Sequence, residues 1–206
     1  MTQTIQRYDA KERTNHWAVA GLFFLAALSG LAFFHPSFYF FTNLFGGGAW
    51  TRILHPFMGV LMALAFLGMY MRHAADNRMT DGDKEWLKHR GELLRGDKSN
   101  MPPAGKYNAA QKQVFWLMVF SLAVLVVTGF VFWRPWFADF FPGRALRAAA
   151  LLHSVAALVL VLTVIVHVYA AIWVKGTIRG MTRGTVTQGW AKQNHALWHQ
   201  EITRGK

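Results

Sequence analysis

From Thr14 to Thr51 the chain carries no Lys, Arg, Asp or Glu, and further charge-free runs cover 53–71, 113–133 and 148–174. A bilayer core about 30 Å thick is crossed by roughly 20 apolar residues in an α-helix, because each residue advances about 1.5 Å. Backbone N–H and C=O groups find no partner in hydrocarbon, so segments this long must satisfy themselves as helices. The runs therefore predict four spans at about 15–35, 53–73, 113–133 and 149–174. The expected fold is an all-α membrane protein, a four-transmembrane-helix bundle forming one integral membrane domain over 1–206. The apolar core of the first span is too long for the h-region of a signal peptide, which predicts that it is retained.

The other charges are segregated. The 206 residues are 53% hydrophobic, yet the formal net charge is +12. Of the 22 Lys and Arg residues, eighteen lie before the first span, in the 74–112 loop with its flanking Arg72, and in the tail 175–206; four lie on the opposite side. The positive-inside rule places both termini and the long loop in the cytoplasm, and lipid headgroups account for the basic excess without nucleic acid. In that loop the charge alternation of DGDKEWLKHRGELLRG predicts a short surface helix that ends before the Pro-Pro at 102–103. The outer loops, HPSFYFFTNLFGGG and WRPWFADFFPGR, have the aromatic composition of an interfacial belt and offer a docking surface. With no cysteine in the chain, disulfides, thiolate metal sites and iron–sulfur ligation are excluded.

Within LLHSVAALVLVLTVIVHVY at 151–169, His153 and His167 are accompanied only by one serine and one threonine. An imidazole at that depth needs partners for both ring nitrogens, and an ionisable residue inside a span is a functional candidate by default. Fourteen helical residues advance about 21 Å and turn through about 1,400°, close to four full turns, so the two rings share a face near opposite membrane surfaces. His16 opens the first span level with His167, and His55 opens the second level with His153. Two pairs at two depths result: His16 with His167 inside, His55 with His153 outside. Facing imidazoles can hold a haem iron axially, and Gly59, Ser154, Ala156 and Ala157 leave room for a macrocycle. His35 and His73 fall at span ends, where a polar cap at the membrane surface explains them. His89, His195 and His199 lie in cytoplasmic segments and are expected to be solvated or to contact a partner. Spacing alone leaves a proton relay open.

The stretches RTNHW at 13–17, RILHPF at 52–57, GKYNAAQK at 105–112, WRPWFADFFP at 133–142, WVKG at 173–176 and WAKQNHALWHQEI at 190–202, together with the two-histidine fourth span, carry a resemblance. The sequence resembles the cytochrome b (gamma) subunit of membrane-bound formate dehydrogenases from Arg13 to Glu201. That resemblance implies two b haems as cofactors, one held by His55 and His153 and the other by His16 and His167. It also implies a quinone site near Asn108 and Gln111, where Ala110 stands in place of an expected glycine, with menaquinone or ubiquinone as acceptor. Electrons from a molybdenum or tungsten catalytic (alpha) subunit would arrive through an iron–sulfur (beta) subunit that has its own membrane helix. They would pass from outer to inner haem and reduce the quinone with cytoplasmic proton uptake.

Formate oxidation would belong to the partner, since the short loops hold no site for its cofactor. The implied location is the bacterial cytoplasmic (inner) membrane, with a homotrimer of the complex as a further expectation. Read from the residues, Asn108 also suits a helix N-cap, and Arg13, Lys106, Lys175, Arg52 and Arg147 suit either haem propionates or lipid phosphates. The alternatives are the cytochrome b subunit of a hydrogenase or related quinone-linked oxidoreductase, and a haem-free membrane anchor or proton relay.

Overall fold

The computed structural model describes residues 3–97, 99–134 and 136–204. In chain order the elements are β1 (Thr4–Gln6), α1 (Ala10–Phe34), α2 (Gly48–His73), α3 (Asp81–Lys88), α4 (Arg90–Leu94), α5 (Ala109–Phe132), α6 (Gly143–Trp173), α7 (Thr177–Arg183), β2 (Thr185–Thr187), α8 (Gln188–Asn194) and α9 (Ala196–Arg204). Short 3₁₀ stretches occupy Pro36–Phe45 and Ala138–Phe140. Among the described residues four helices, α1, α2, α5 and α6, are long and apolar enough to cross a membrane. The chain is a multi-pass membrane protein.

Each of the four starts four to six residues before the apolar run that announced it, because a helix begins at its cap and not at the hydrocarbon boundary. Ahead of α1, the Asp9 carboxylate accepts from Glu12 N–H at 2.7 Å while the Glu12 carboxylate accepts from Asp9 N–H at 2.7 Å. Asn108 and Gln111 make the same reciprocal exchange ahead of α5, at 2.9 and 3.0 Å. Two of the donors that any helix start leaves orphaned are satisfied in each case.

Two compact units are present. The first comprises 14–70 and 117–165. Its core gathers Ala26, Met62, Phe66 and Leu122, with Leu22, Phe23, Met58 and Val126 packed around them. Large apolar side chains such as Phe24, Leu61, Leu64, Phe120 and Val127 point outward, as surfaces bathed in lipid tails do. Between α1 and α2 the 3₁₀ stretch ends at Gly46 and Gly47, both left-handed at φ +85° and +94°. Side chains with a Cβ rarely take that conformation, which accounts for glycines at this turn.

The second unit comprises 1–13, 71–116 and 166–206. Beside its helices this unit holds one short ladder that the sequence reading did not include: β1 pairs antiparallel with β2, in the register Thr4 to Thr187, Ile5 to Val186 and Gln6 to Thr185. Val186, Trp190, Ala191 and Trp198 form the apolar cluster behind this ladder. The surface helix expected in the long loop is present as α3 and α4. A capping box between Thr80 and Asp83 opens α3, and Lys112 donates to the Asp83 carboxylate at 2.7 Å and to Arg78 C=O at 3.0 Å. Burial works against ionisation of Asp83, but the bonds from Lys112 and Thr80 outweigh it and hold the carboxyl below its usual range.

Arg7 is buried at the centre of this unit, its guanidinium carbon 4.8 to 5.9 Å from the ring centroids of Trp198, Trp190, Tyr8 and Tyr107. It donates to Lys106 C=O at 2.6 Å, and the ring faces supply the remaining stabilisation of the cation. His195 is not solvated, as its place in the tail suggested; it is 2% exposed. A carbonyl can only accept, so Nδ1 donates to Gly105 C=O at 2.8 Å and leaves Nε2 to accept from Arg7 at 3.4 Å. Burial, with the Arg7 charge beside it, lowers the His195 pKa to about 4.

Because that pKa lies below the ordinary 6.5, the unfolded chain takes up a proton between these two values that the folded chain refuses. Stability conferred above the unfolded pKa is therefore lost as pH falls from about 6.5 and levels off below about 4, a total of roughly 3 kcal/mol. Thermal unfolding of the purified protein at pH 7 and pH 5 checks this: a His195→Asn variant should melt lower at pH 7 and lose less between the two.

Candidate functional site

His55 lies in the third turn of α2, and His153 lies in α6. Their ring centroids are 6.2 Å apart with planes at 71°. A metal–imidazole bond is about 2 Å and each ring adds about 1 Å from nitrogen to centroid, so two imidazoles sharing one metal ion stand about 6 Å apart. The observed separation fits a shared iron. Among the described residues no group of three or more His, Cys, Asp or Glu is placed to hold a metal ion. Two imidazoles alone make a poor site for a bare cation, but they suffice for haem, whose macrocycle supplies the equatorial nitrogens.

Each ring is tied at Nδ1 to a hydroxyl on a neighbouring span. Ser29 Oγ on α1 lies 2.8 Å from His55 Nδ1, and Thr128 Oγ1 on α5 lies 3.0 Å from His153 Nδ1. Both hydroxyl residues are followed by glycine. A Cβ at Gly30 would stand 3.2 Å from His55 Cε1, and one at Gly129 would stand 3.4 Å from His153 Cε1. The glycines let the spans approach the ring edges; the hydroxyls hold the rings by their far nitrogens. Phe132 completes the wall beside His153, ring to ring at 5.1 Å.

Sequence reasoning looked for space at other positions. Nothing lies within 4 Å of where a Cβ on Gly59 would stand, Ser154 donates to Ala150 C=O of its own helix, and Ala156 is buried. The residues that touch the rings were missed, although the sequence carries a signal for them: Ser29-Gly30 and Thr128-Gly129 recur near the same end of the first and third spans. Arg52, on α2, lies with its guanidinium carbon 5.9 Å from the Phe33 ring centroid.

His16 sits in the second turn of α1, part-buried, its ring edge-on to Trp17 at 5.2 Å. The adjacent Asn15 donates to Ala65 C=O at 2.8 Å. His167 lies in α6 at an exposed position, two turns before the helix ends at Trp173. Of the proposed quinone residues, Asn108 is the residue before α5, and its carboxamide oxygen is spent on the cap with Gln111. The Asn108 Nδ2 is left as the side chain's donor. Ala110 is part-buried in the first turn.

Tyr107, next to Asn108, was not singled out from sequence. Its hydroxyl is 3.3 Å from His73 Nδ1, and His73 Nε2 is 3.9 Å from Glu12. Burial pushes the Tyr107 hydroxyl above its usual pKa, so it remains a donor. His73, in the last turn of α2, is 7% exposed inside a polar cluster. Lys106 pairs with Asp76 at 2.9 Å, and Arg13 donates to Thr182 C=O at 2.8 Å. His35 caps the 3₁₀ stretch through its ring nitrogen, and His89 faces Glu92 and Glu85.

Residues 7–184 match the family model of prokaryotic cytochrome b561. The cytochrome b556 subunit of the nitrate-inducible formate dehydrogenase of Escherichia coli K12 is 40% identical over 205 residues, covering 100% of this chain and 94% of that protein. A second formate dehydrogenase cytochrome b556 subunit of the same strain is 43% identical, with 98% and 94% covered. That of Haemophilus influenzae is 39% identical, with 98% and 85% covered. The chain belongs to the prokaryotic cytochrome b561 family, among the cytochrome b556 subunits of formate dehydrogenase.

Proposed function

We propose that this chain is the electron-transfer subunit of a formate dehydrogenase complex in the bacterial cytoplasmic membrane, delivering electrons received from an iron–sulfur subunit to a membrane quinone through two b haems. The observation that carries the reading is the His55–His153 pair, at a spacing that suits a shared iron and with both Nδ1 atoms held from behind. When bound, the haems supply one-electron redox chemistry in a low-dielectric medium that aqueous carriers do not enter. The chain's own part is to hold and orient them. His55 and His153 bind one iron through Nε2, and His16 with His167 bind the other, the second pair resting on helical rise and on the family resemblance.

At the quinone, Asn108 Nδ2 donates a hydrogen bond to a carbonyl oxygen, and Gln111 fixes the Asn108 side chain through the cap. Both stand at the start of α5, on the side that carries most of the basic residues, so the protons that convert quinone to quinol come from cytoplasmic water. Formate is oxidised on a separate molybdenum or tungsten subunit. The aromatic surface at 36–45 and 136–141, with Tyr39, Phe40 and Phe140 exposed, receives the iron–sulfur subunit. The complete complex forms a homotrimer.

Reduced-minus-oxidised visible spectra of the purified complex test the ligand assignment. Wild type should give two low-spin b haems per chain, and His153→Ala should lose the haem at the His55–His153 pair while retaining much of the other. A spectrum with no Soret band leaves only a four-span anchor. The quinone assignment is checked separately: Asn108→Ala should leave both haem spectra intact and slow formate-driven quinone reduction at least tenfold, the scale of one lost charge-developing hydrogen bond. Loss of a haem in that variant would place Asn108 in the haem pocket instead.

A further inference from the structure

We infer that Ser29 and Thr128 are positioning residues for the haem at the His55–His153 pair, each an obligate hydrogen-bond acceptor that fixes the tautomer of its histidine and sets the reduction potential through it. The inference rests on reading that pair as axial ligands.

A hydroxyl has one proton to give. Ser29 donates it to Ala26 C=O on its own helix at 2.9 Å. Thr128 donates to Val124 C=O at 2.6 Å, with Leu125 C=O further off at 3.3 Å. With those protons committed, the oxygens facing the imidazoles can only accept. Each contact must therefore be Nδ1–H to hydroxyl oxygen, which makes Nε2 the bare nitrogen in both rings. Nε2 is the atom an iron would take.

Position makes the arrangement binding. Ser29 is fully buried and Thr128 nearly so, at a depth where water is scarce, and the nearest other acceptors are the Ala26 and Leu125 carbonyls to which those hydroxyls already donate. Both oxygens are neutral. A carboxylate in their place would draw the Nδ1 proton strongly and make the imidazole electron-rich; a hydroxyl already donating to a carbonyl accepts more weakly. Bound to iron, the rings would act as neutral imidazoles of moderate donor strength. The repetition supports a built device, since hydroxyl-then-glycine occurs on α1 and on α5, with the glycine against the Cε1 edge and the hydroxyl on Nδ1 of the same ring.

Removing the acceptor should weaken donation to iron and favour the reduced form. In Ser29→Ala/Thr128→Val, made in the intact complex, the haem at this pair should shift about tenfold toward reduction, which is about 59 mV upward for one electron. Its retention through purification should fall as affinity drops by about 10- to 100-fold. Potentiometric titration of the b-type absorbance and electron paramagnetic resonance of the oxidised haems read this without reference to turnover, and the other haem serves as an internal control. Ser29→Thr/Thr128→Ser, which keeps both acceptors, should restore the wild-type potential. An unchanged potential and unchanged resonance in the first variant overturns the inference while leaving the ligands in place. Two haems surviving in His153→Ala overturns the axial pair itself. Should the double variant fail to assemble, Ser29→Cys, which keeps a small side chain and weakens the acceptor, is titrated by the same criteria.

Discussion

Hydrocarbon offers a polar group nothing to bond to, and that single fact orders this chain from its helices to its site. Backbone groups in the spans satisfy one another, which is why 24 to 31 residues at a time are helical in α1, α2, α5 and α6. The same rule governs side chains. Thr163 turns its hydroxyl onto Val159 C=O within its own helix, and Ser29 and Thr128 do likewise before offering their remaining capacity to a neighbouring span. His55 and His153, the imidazoles packed in the first unit, each have Nδ1 beside a hydroxyl of a neighbouring span.

That rule made part of the molecule readable in advance. A charge-free run of twenty residues has one structural solution, so four spans could be placed from composition, and the 3.6-residue turn put His153 and His167 on one face. Helix starts could not be read the same way, because Asp9, Glu12, Asn108 and Gln111 act through cap bonds that a hydropathy pattern does not register. Asn108 illustrates the difficulty: the same carboxamide suits a cap and a quinone, and the oxygen is in fact used by the cap. Ser29 and Thr128 were passed over since a hydroxyl among apolar residues looks like any back-bonded packing residue, and only its neighbour on another helix distinguishes it.

The second unit was the least legible. Its ladder consists of two three-residue strands, too short for an alternating pattern, and His195 sits in a tail whose composition resembles a solvated helix. What organises the unit is Arg7, a cation with no carboxylate in ion-pair reach among the described residues. Four aromatic rings and a backbone carbonyl take the place of the counter-ion, and His195 is held neutral next to it by burial and by that charge. Tyr107 links this centre to the polar cluster around His73, so the residues beside the proposed quinone site are anchored by contacts contributed from both ends of the chain.

The pairing of Thr4 with Thr187 constrains how the protein comes into being. Those partners emerge from the ribosome about 180 residues apart, an interval of roughly 10 to 40 s at ordinary rates of synthesis. Throughout that time the leading segment has no strand to join, and the Arg7 cage lacks Trp190 and Trp198. Only a polypeptide that has threaded an even number of helices through the bilayer brings both strands to one side. The ladder therefore closes last, on a chain whose four spans have already been made.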